Sequence, residues 1–191
     1  MKRYLERLGC LAMVVILGGL VIAAAGCGRS GGDYSLVQTA FSGADIIYSY
    51  PDTYRMPPGG PGNSSLTYLR YLGKVEDLDS DRMIFIETLP PAGAGDAAAQ
   101  MDKDLNSILD STLDFRLIKR TTTSVAGYDA ELLAFSATFP DTPLTSRTTT
   151  TWVAYFFRDG LIWEMGVMTN ADLEGAAEAD FKALVASFAF E

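Results

Sequence analysis

The sequence contains no histidine among its 191 residues and only two cysteines. Lack of His removes the side chain that titrates nearest neutral pH, the usual base for Ser and Cys nucleophiles, and the commonest transition-metal ligand. Basic residues are also scarce: 15 Lys plus Arg stand against 24 Asp plus Glu, a net charge of −9. A nucleic-acid partner is thereby disfavoured, since phosphate binding needs clustered Lys and Arg. What is present is ordinary for one globular domain: 48% hydrophobic residues, 20% charged residues, 18 Gly and 8 Pro.

One uncharged run is long enough to cross a membrane, residues 8–26, and Lys2, Arg3 and Arg7 precede it. A basic head, an apolar stretch and small residues at its end make the layout of a secretory signal. Its last four residues, Ala24-Ala25-Gly26-Cys27, resemble the bacterial lipobox, with Ala24 where Leu is commoner. The resemblance implies cleavage before Cys27 and a diacylglyceryl group on its thiol. The alternative is an uncleaved anchor helix, because 19 residues approach the ~20 of a membrane span. Cys10 would leave with the leader, so Cys27 would be the one remaining thiol and no internal disulfide could form. Loss of residues 1–26 leaves 12 basic against 23 acidic residues, a net of −11, which anionic headgroups repel. The expected organisation is a signal peptide over residues 1–26, a lipidated Cys27 with a Gly/Ser-rich tether over 27–40, and a domain over 41–191. The domain would face outside the cytoplasm on a cell membrane or outer membrane, and Gly28 after the Cys favours the outer one in a two-membrane host.

Within the domain, β-branched and aromatic runs bounded by Gly and Pro predict strands over 46–50, 66–72, 82–89, 115–125, 128–139, 148–157 and 161–168. Asp96 is placed to cap a helix in which Ala98, Met101, Leu105, Ile108, Leu109 and Thr112 form one apolar stripe. Asn170 is placed to cap a last helix whose apolar face is Leu173, Ala176, Ala177, Phe181, Leu184, Val185 and Phe188. Arg158-Asp159-Gly160 between two strands is a strong hairpin signal. The order β-β-β-α-β-β-β-β-α predicts an α+β fold: an antiparallel sheet of six to seven strands covered by helices, an α/β/α sandwich.

Three local features add a resemblance. Tyr48-Ser49-Tyr50-Pro51-Asp52-Thr53-Tyr54 resembles an opening strand with an aromatic-Pro turn, and Tyr54 stands where Trp is frequent. Val125-Ala126-Gly127-Tyr128-Asp129-Ala130 resembles a Gly-containing turn between central strands, and the chain closes in Leu184-Val185-Ala186-Ser187-Phe188-Ala189-Phe190. Together they are similar to the PsbP-like superfamily, which includes PsbP, Mog-type and LpqN-like proteins. The resemblance spans residues 41–191 and carries no catalytic motif; it implies the fold and a binding or assembly role, with an envelope protein as partner.

Candidate chemistry is thin. Asp77, Asp79 and Asp81 form an alternating acidic turn that suits a hard cation, but an EF-hand register would place Arg82 where Gly is needed and Thr88 where Glu is needed. Residues 59–62 are Gly-rich without the Lys-Ser/Thr of a phosphate loop, so no cofactor is expected. A cell-surface hydrolase working through paired carboxylates is the alternative to a binding role. Partner contacts are expected on the loops 56–65, 90–95 and 140–147 at one end of the sheet, with Asn63, Asp141 and Arg147 as their strong polar groups. The next candidates are Trp152 and Trp163 on the sheet. In the strand 148–157, Trp152, Ala154 and Phe156 alternate with Val153, Tyr155 and Phe157, which predicts a central strand covered on both faces.

Overall fold

Three two-residue turns set the architecture. Each places a non-glycine followed by glycine in the left-handed region: Ser42-Gly43 (φ 50° and 80°), Ala126-Gly127 (51° and 84°) and Asp159-Gly160 (52° and 81°). This backbone twist matches that of the flanking strands, so each turn closes a tight hairpin. The computed structural model describes residues 33–58, 60, 64–72, 79–91, 96–141 and 144–191. Its elements in chain order are β1 (Tyr34–Phe41), β2 (Ala44–Pro51), β3 (Ser65–Tyr71), β4 (Ser80–Leu89), α1 (Ala97–Ser111), β5 (Asp114–Val125), β6 (Tyr128–Thr138), β7 (Thr148–Arg158), β8 (Leu161–Asn170), a 3-10 turn (Ala171–Leu173), α2 (Glu174–Ser187) and β9 (Ala189–Phe190).

Six strands form one antiparallel sheet in the order β3-β4-β8-β7-β6-β5, and β1, β2 and β9 form a second of three. The expected α+β fold is present. The division into two sheets is what the sequence reading lacked. Residues 34–40, assigned there to the tether, are strand β1, paired with β2 along its whole length. Its alternation is masked because both of its faces are only partly buried.

The large sheet is apolar on both faces. On one, Trp152, Ala154, Phe156, Trp163, Met165 and Ile84 pack against α2 (Ala177, Phe181, Leu184) and against Phe41, Ile46 and Tyr48 of the small sheet. On the other, Val153, Tyr155, Leu133, Phe135 and Phe85 pack against Met101 of α1. The alternation in β7 is therefore as expected up to Phe157, the residue before its last, which is 41% exposed.

Asp96 caps α1 as expected, its Oδ1 accepting from the Ala98 amide at 2.9 Å. Along that helix Met101 is fully buried, but Leu109, expected on the stripe, is 47% exposed because it has rotated past the sheet contact. Asn170 does not cap α2. A 3-10 turn intervenes, and the Asn170 side chain instead accepts from the Ser146 amide at 3.2 Å and donates to Thr145 Oγ1 at 3.0 Å. The expected loops do not share an end. The chain enters β3 and leaves β4 at the end carrying the Ala126-Gly127 and Asp159-Gly160 turns, called here the hairpin end. The 140–147 connection joins β6 to β7 at the opposite end, where the Thr145 amide donates to the Ser80 carbonyl at 2.8 Å.

Candidate functional site

Several residues singled out in the sequence fall elsewhere than expected. Trp152 and Trp163 are 5% and 2% exposed and lie inside the core, with ring centroids 6.0 Å from Phe181 and 6.1 Å from Phe156 respectively. Neither presents its ring to the surface, and both faces of the sheet that the alternation required to be covered are filled. Asp81 is buried and paired with Arg70, whose Nε donates to Oδ1 at 2.7 Å, whereas Asp79 is exposed. The two carboxylates therefore do not converge, and among the described residues no three acidic side chains could hold a metal ion. Arg147 is exposed, and its carbonyl accepts from the Phe139 amide at 2.9 Å. Cys27, Asn63 and Asp77 lie outside the described residues.

Polar chemistry gathers in a place no motif marked. Following the register from strand to strand, Ser65, Glu87, Glu164, Tyr155, Glu131 and Thr122 stand side by side, a row that crosses all six strands on the α1 face. Directly opposed like charges destabilise a sheet, and Glu87 opposite Glu164 is such a pair. Burial, then the charges of Asp104 and Glu87, push the Glu164 carboxyl up to about 8, while the Tyr155 hydroxyl acts the other way. Ser65 Oγ donates to Glu87 Oε1 at 2.8 Å, and from α1 the Gln100 amide donates to Asp104 Oδ1 at 2.9 Å. Burial beside Glu164 and Asp104 raises Tyr155 well above an ordinary phenol. The row thus holds a proton at neutral pH.

At the hairpin end this row opens into a pocket of about 330 Å³. Asp96 and Ala97 from the start of α1, Thr122 of β5, Tyr128 to Glu131 of β6 and Phe157 of β7 line it. Tyr128 and Phe157 are 36% and 41% exposed, and the Tyr128 ring stacks on Phe156 with centroids 5.9 Å apart. Behind the wall Arg158 lies with its guanidinium carbon 3.5 Å from the Phe190 ring centre and 5.9 Å from that of Tyr128. The Tyr128 ring itself lies on the opposite face of the sheet, against Phe156 and Phe190. The lining offers three carboxylates (Asp96, Asp129, Glu131) and the Phe157 ring, with no basic side chain among them. That chemistry accepts a Lys or Arg side chain, by charge and by cation–π contact. Sequence reading missed the pocket because its residues come from four elements. The available signal was Phe157, an aromatic immediately before the Arg158-Asp159-Gly160 turn, where helix cover ends.

No family model matches the chain, and no curated protein matches it. Solved structures do. The Saccharomyces cerevisiae Ran-binding protein Mog1p superposes with a TM-score of 0.56 at 13% identity, over 80% of this chain and 94% of that one. Cyanobacterial PsbP (CyanoP) from Synechocystis gives 0.54 at 14% identity, over 87% and 99%. LpqN of Mycobacterium tuberculosis, described as involved in cell envelope biogenesis, gives 0.54 at 12% identity, over 82% and 91%. The chain has the PsbP/Mog1 fold, as the sequence resemblance implied.

Proposed function

We propose that the chain is a lipid-anchored protein of the cell envelope whose domain binds a protein partner without catalysing a reaction. The observation that carries this is the pocket at the hairpin end, where exposed Phe157 stands beside Asp96, Asp129 and Glu131. An exposed aromatic ring beside charge of one sign suits recognition of a basic side chain better than chemistry on a substrate. Two further facts support the reading. Ala24-Ala25-Gly26-Cys27 is similar to a lipobox, and proteins of this fold include one described as Ran-binding and one described as involved in cell envelope biogenesis.

The test is capture from the envelope by the acylated protein with in-cell crosslinking. Phe157→Ser and Glu131→Lys should each fold as the parent does and reduce recovery of the crosslinked partner about tenfold; undiminished recovery from both ends the pocket reading. Cys27→Ser should abolish acyl labelling and leave the precursor uncut, and unchanged processing would refute the anchor. The carboxylate-hydrolase alternative would rest on Glu87 and Glu164. We read that pair as packing, because Tyr155 and Asp104 already fill its surroundings; hydrolysis of envelope glycans that Glu164→Gln abolishes would reverse this.

A further inference from the structure

The order of the chain fixes how such a domain stands on a membrane. Only residues 28–33 separate Cys27 from the first strand, and β1 begins at Tyr34. Seven Cα steps span at most about 25 Å.

Where β1 begins is well defined. Tyr34 pairs with Pro51, and the Asp52 amide donates to the Asp33 carbonyl at 2.8 Å. Nearby, the Tyr54 hydroxyl donates to Asp180 Oδ2 at 2.7 Å, and Arg82 bonds the same oxygen at 3.1 Å. Arg82 lies in the register row Arg82, Thr169, Thr150, Ser136, Arg116, close to the end of the large sheet opposite the hairpins. β1 then runs toward the hairpin end, where its closing turn reaches Thr88 through Ser42 (Oγ to Oγ1, 2.5 Å) and Phe41 meets Trp163 with centroids 5.8 Å apart. The tether therefore leaves from the end remote from the pocket.

We infer that the acylated protein presents the end marked by Tyr34, Pro51 and Thr53 to the bilayer and holds the hairpin end, with its acidic aromatic pocket, away from it. The eleven residues of β6 make the sheet about 35 Å long. Turning the domain over would hold Tyr34 about that far from the lipid, beyond the ~25 Å reach of the tether. A partner thus meets the pocket from the side facing away from the membrane. This inference rests on the anchored reading proposed above.

Energy transfer tests it in the full chain processed by cells. Acylation blocks Cys27 and removal of the leader removes Cys10, so a cysteine introduced at exposed Thr53 or Ser124 is the one reactive thiol. Each variant carries a donor dye and is reconstituted in vesicles of phosphatidylethanolamine and phosphatidylglycerol with an acceptor on the headgroup. Transfer from Thr53→Cys should exceed that from Ser124→Cys several-fold, and a Gly/Ser insertion of about twenty residues after Gly31 should erase most of the contrast. Equal or reversed transfer from an acylated protein overturns the orientation alone. An unmodified N-terminal peptide by mass spectrometry, with no vesicle binding, overturns the anchor and the orientation together.

Discussion

Arg116 and Arg120 stand four residues apart in β5 yet point to opposite faces of the sheet, Arg116 pairing with Glu174 at the start of α2 and Arg120 with Asp102 of α1. In a regular strand residues separated by an even number share a face. Here Ile118 is an extra residue: Leu117 opposes Phe135 and Lys119 opposes Ala134, so the alternation reverses between them. One edge strand thereby holds a helix on each face, and the bulge with its Lys and Arg also blunts an edge otherwise open to pairing.

Deleting Ile118 should cost far more than losing both ion pairs. The pairs are exposed and worth about 0.2–1 kcal/mol each. Removing the bulge turns one half of β5 over, exposing either Phe115 or fully buried Val125. Thermal melting should show a small shift for the double variant Arg116→Ala/Arg120→Ala and loss of cooperative unfolding for the deletion; equal shifts would mean the bulge is dispensable.

Glu164 makes stability depend on pH in a direction opposite to most carboxylates. Below 4.5 both folded and unfolded chains hold its proton, and from there up to about 8 the unfolded chain releases it while the folded one keeps it. The folded state binds more protons, so this group lowers stability as pH rises through that window. Glu164→Gln should flatten the dependence and raise the melting temperature at pH 8 more than at pH 5. A parent curve that climbs from pH 5 to pH 8 by the same amount as that of the variant would show that Glu164 ionises freely.

Gly166 allows the α1 face to pack. A Cβ there would lie 2.5 Å from Phe85 Cζ and 2.7 Å from the Trp152 carbonyl oxygen. The ring can turn aside, but the carbonyl belongs to β7 and cannot. Gly166→Ala should therefore destabilise by about 1–3 kcal/mol, and adding Phe85→Ala should not restore the loss in chemical denaturation; full restoration would locate the clash in the ring alone.

How much of this was legible follows from where each signal resides. Periodicity and turn chemistry are local, so Asp96, Asp159-Gly160, the two-faced β7 and the Phe181–Leu184 helix face were all readable. Strand β1 was not, since its residues are half-buried on both sides and alternate in nothing the sequence displays. The row from Ser65 to Thr122 depends on five registers and the bulge in β5, none of which is written in any single segment. Trp152 and Trp163 illustrate the converse: a conspicuous residue type marked the core, and the exposed aromatics Tyr128 and Phe157 were the less conspicuous ones.

Asp180 is the remaining residue whose substitution separates two accounts. It is buried in α2, accepts from the Tyr54 hydroxyl at 2.7 Å, and pairs with Arg82, whose own Nε is buried with no hydrogen-bond partner among the described residues. Removing one member of a buried ion pair leaves an uncompensated charge and costs about 3–5 kcal/mol. Asp180→Asn keeps the shape and one acceptor for Tyr54 but forfeits the charge, so it should cost less than Asp180→Ala, which forfeits both. Arg82→Met in the Asp180→Ala background should then recover part of the loss, because the stranded guanidinium is gone. Denaturant midpoints measure this directly. Additive losses in the double variant would mean that Arg82 is already solvated and that Tyr54 alone needs Asp180.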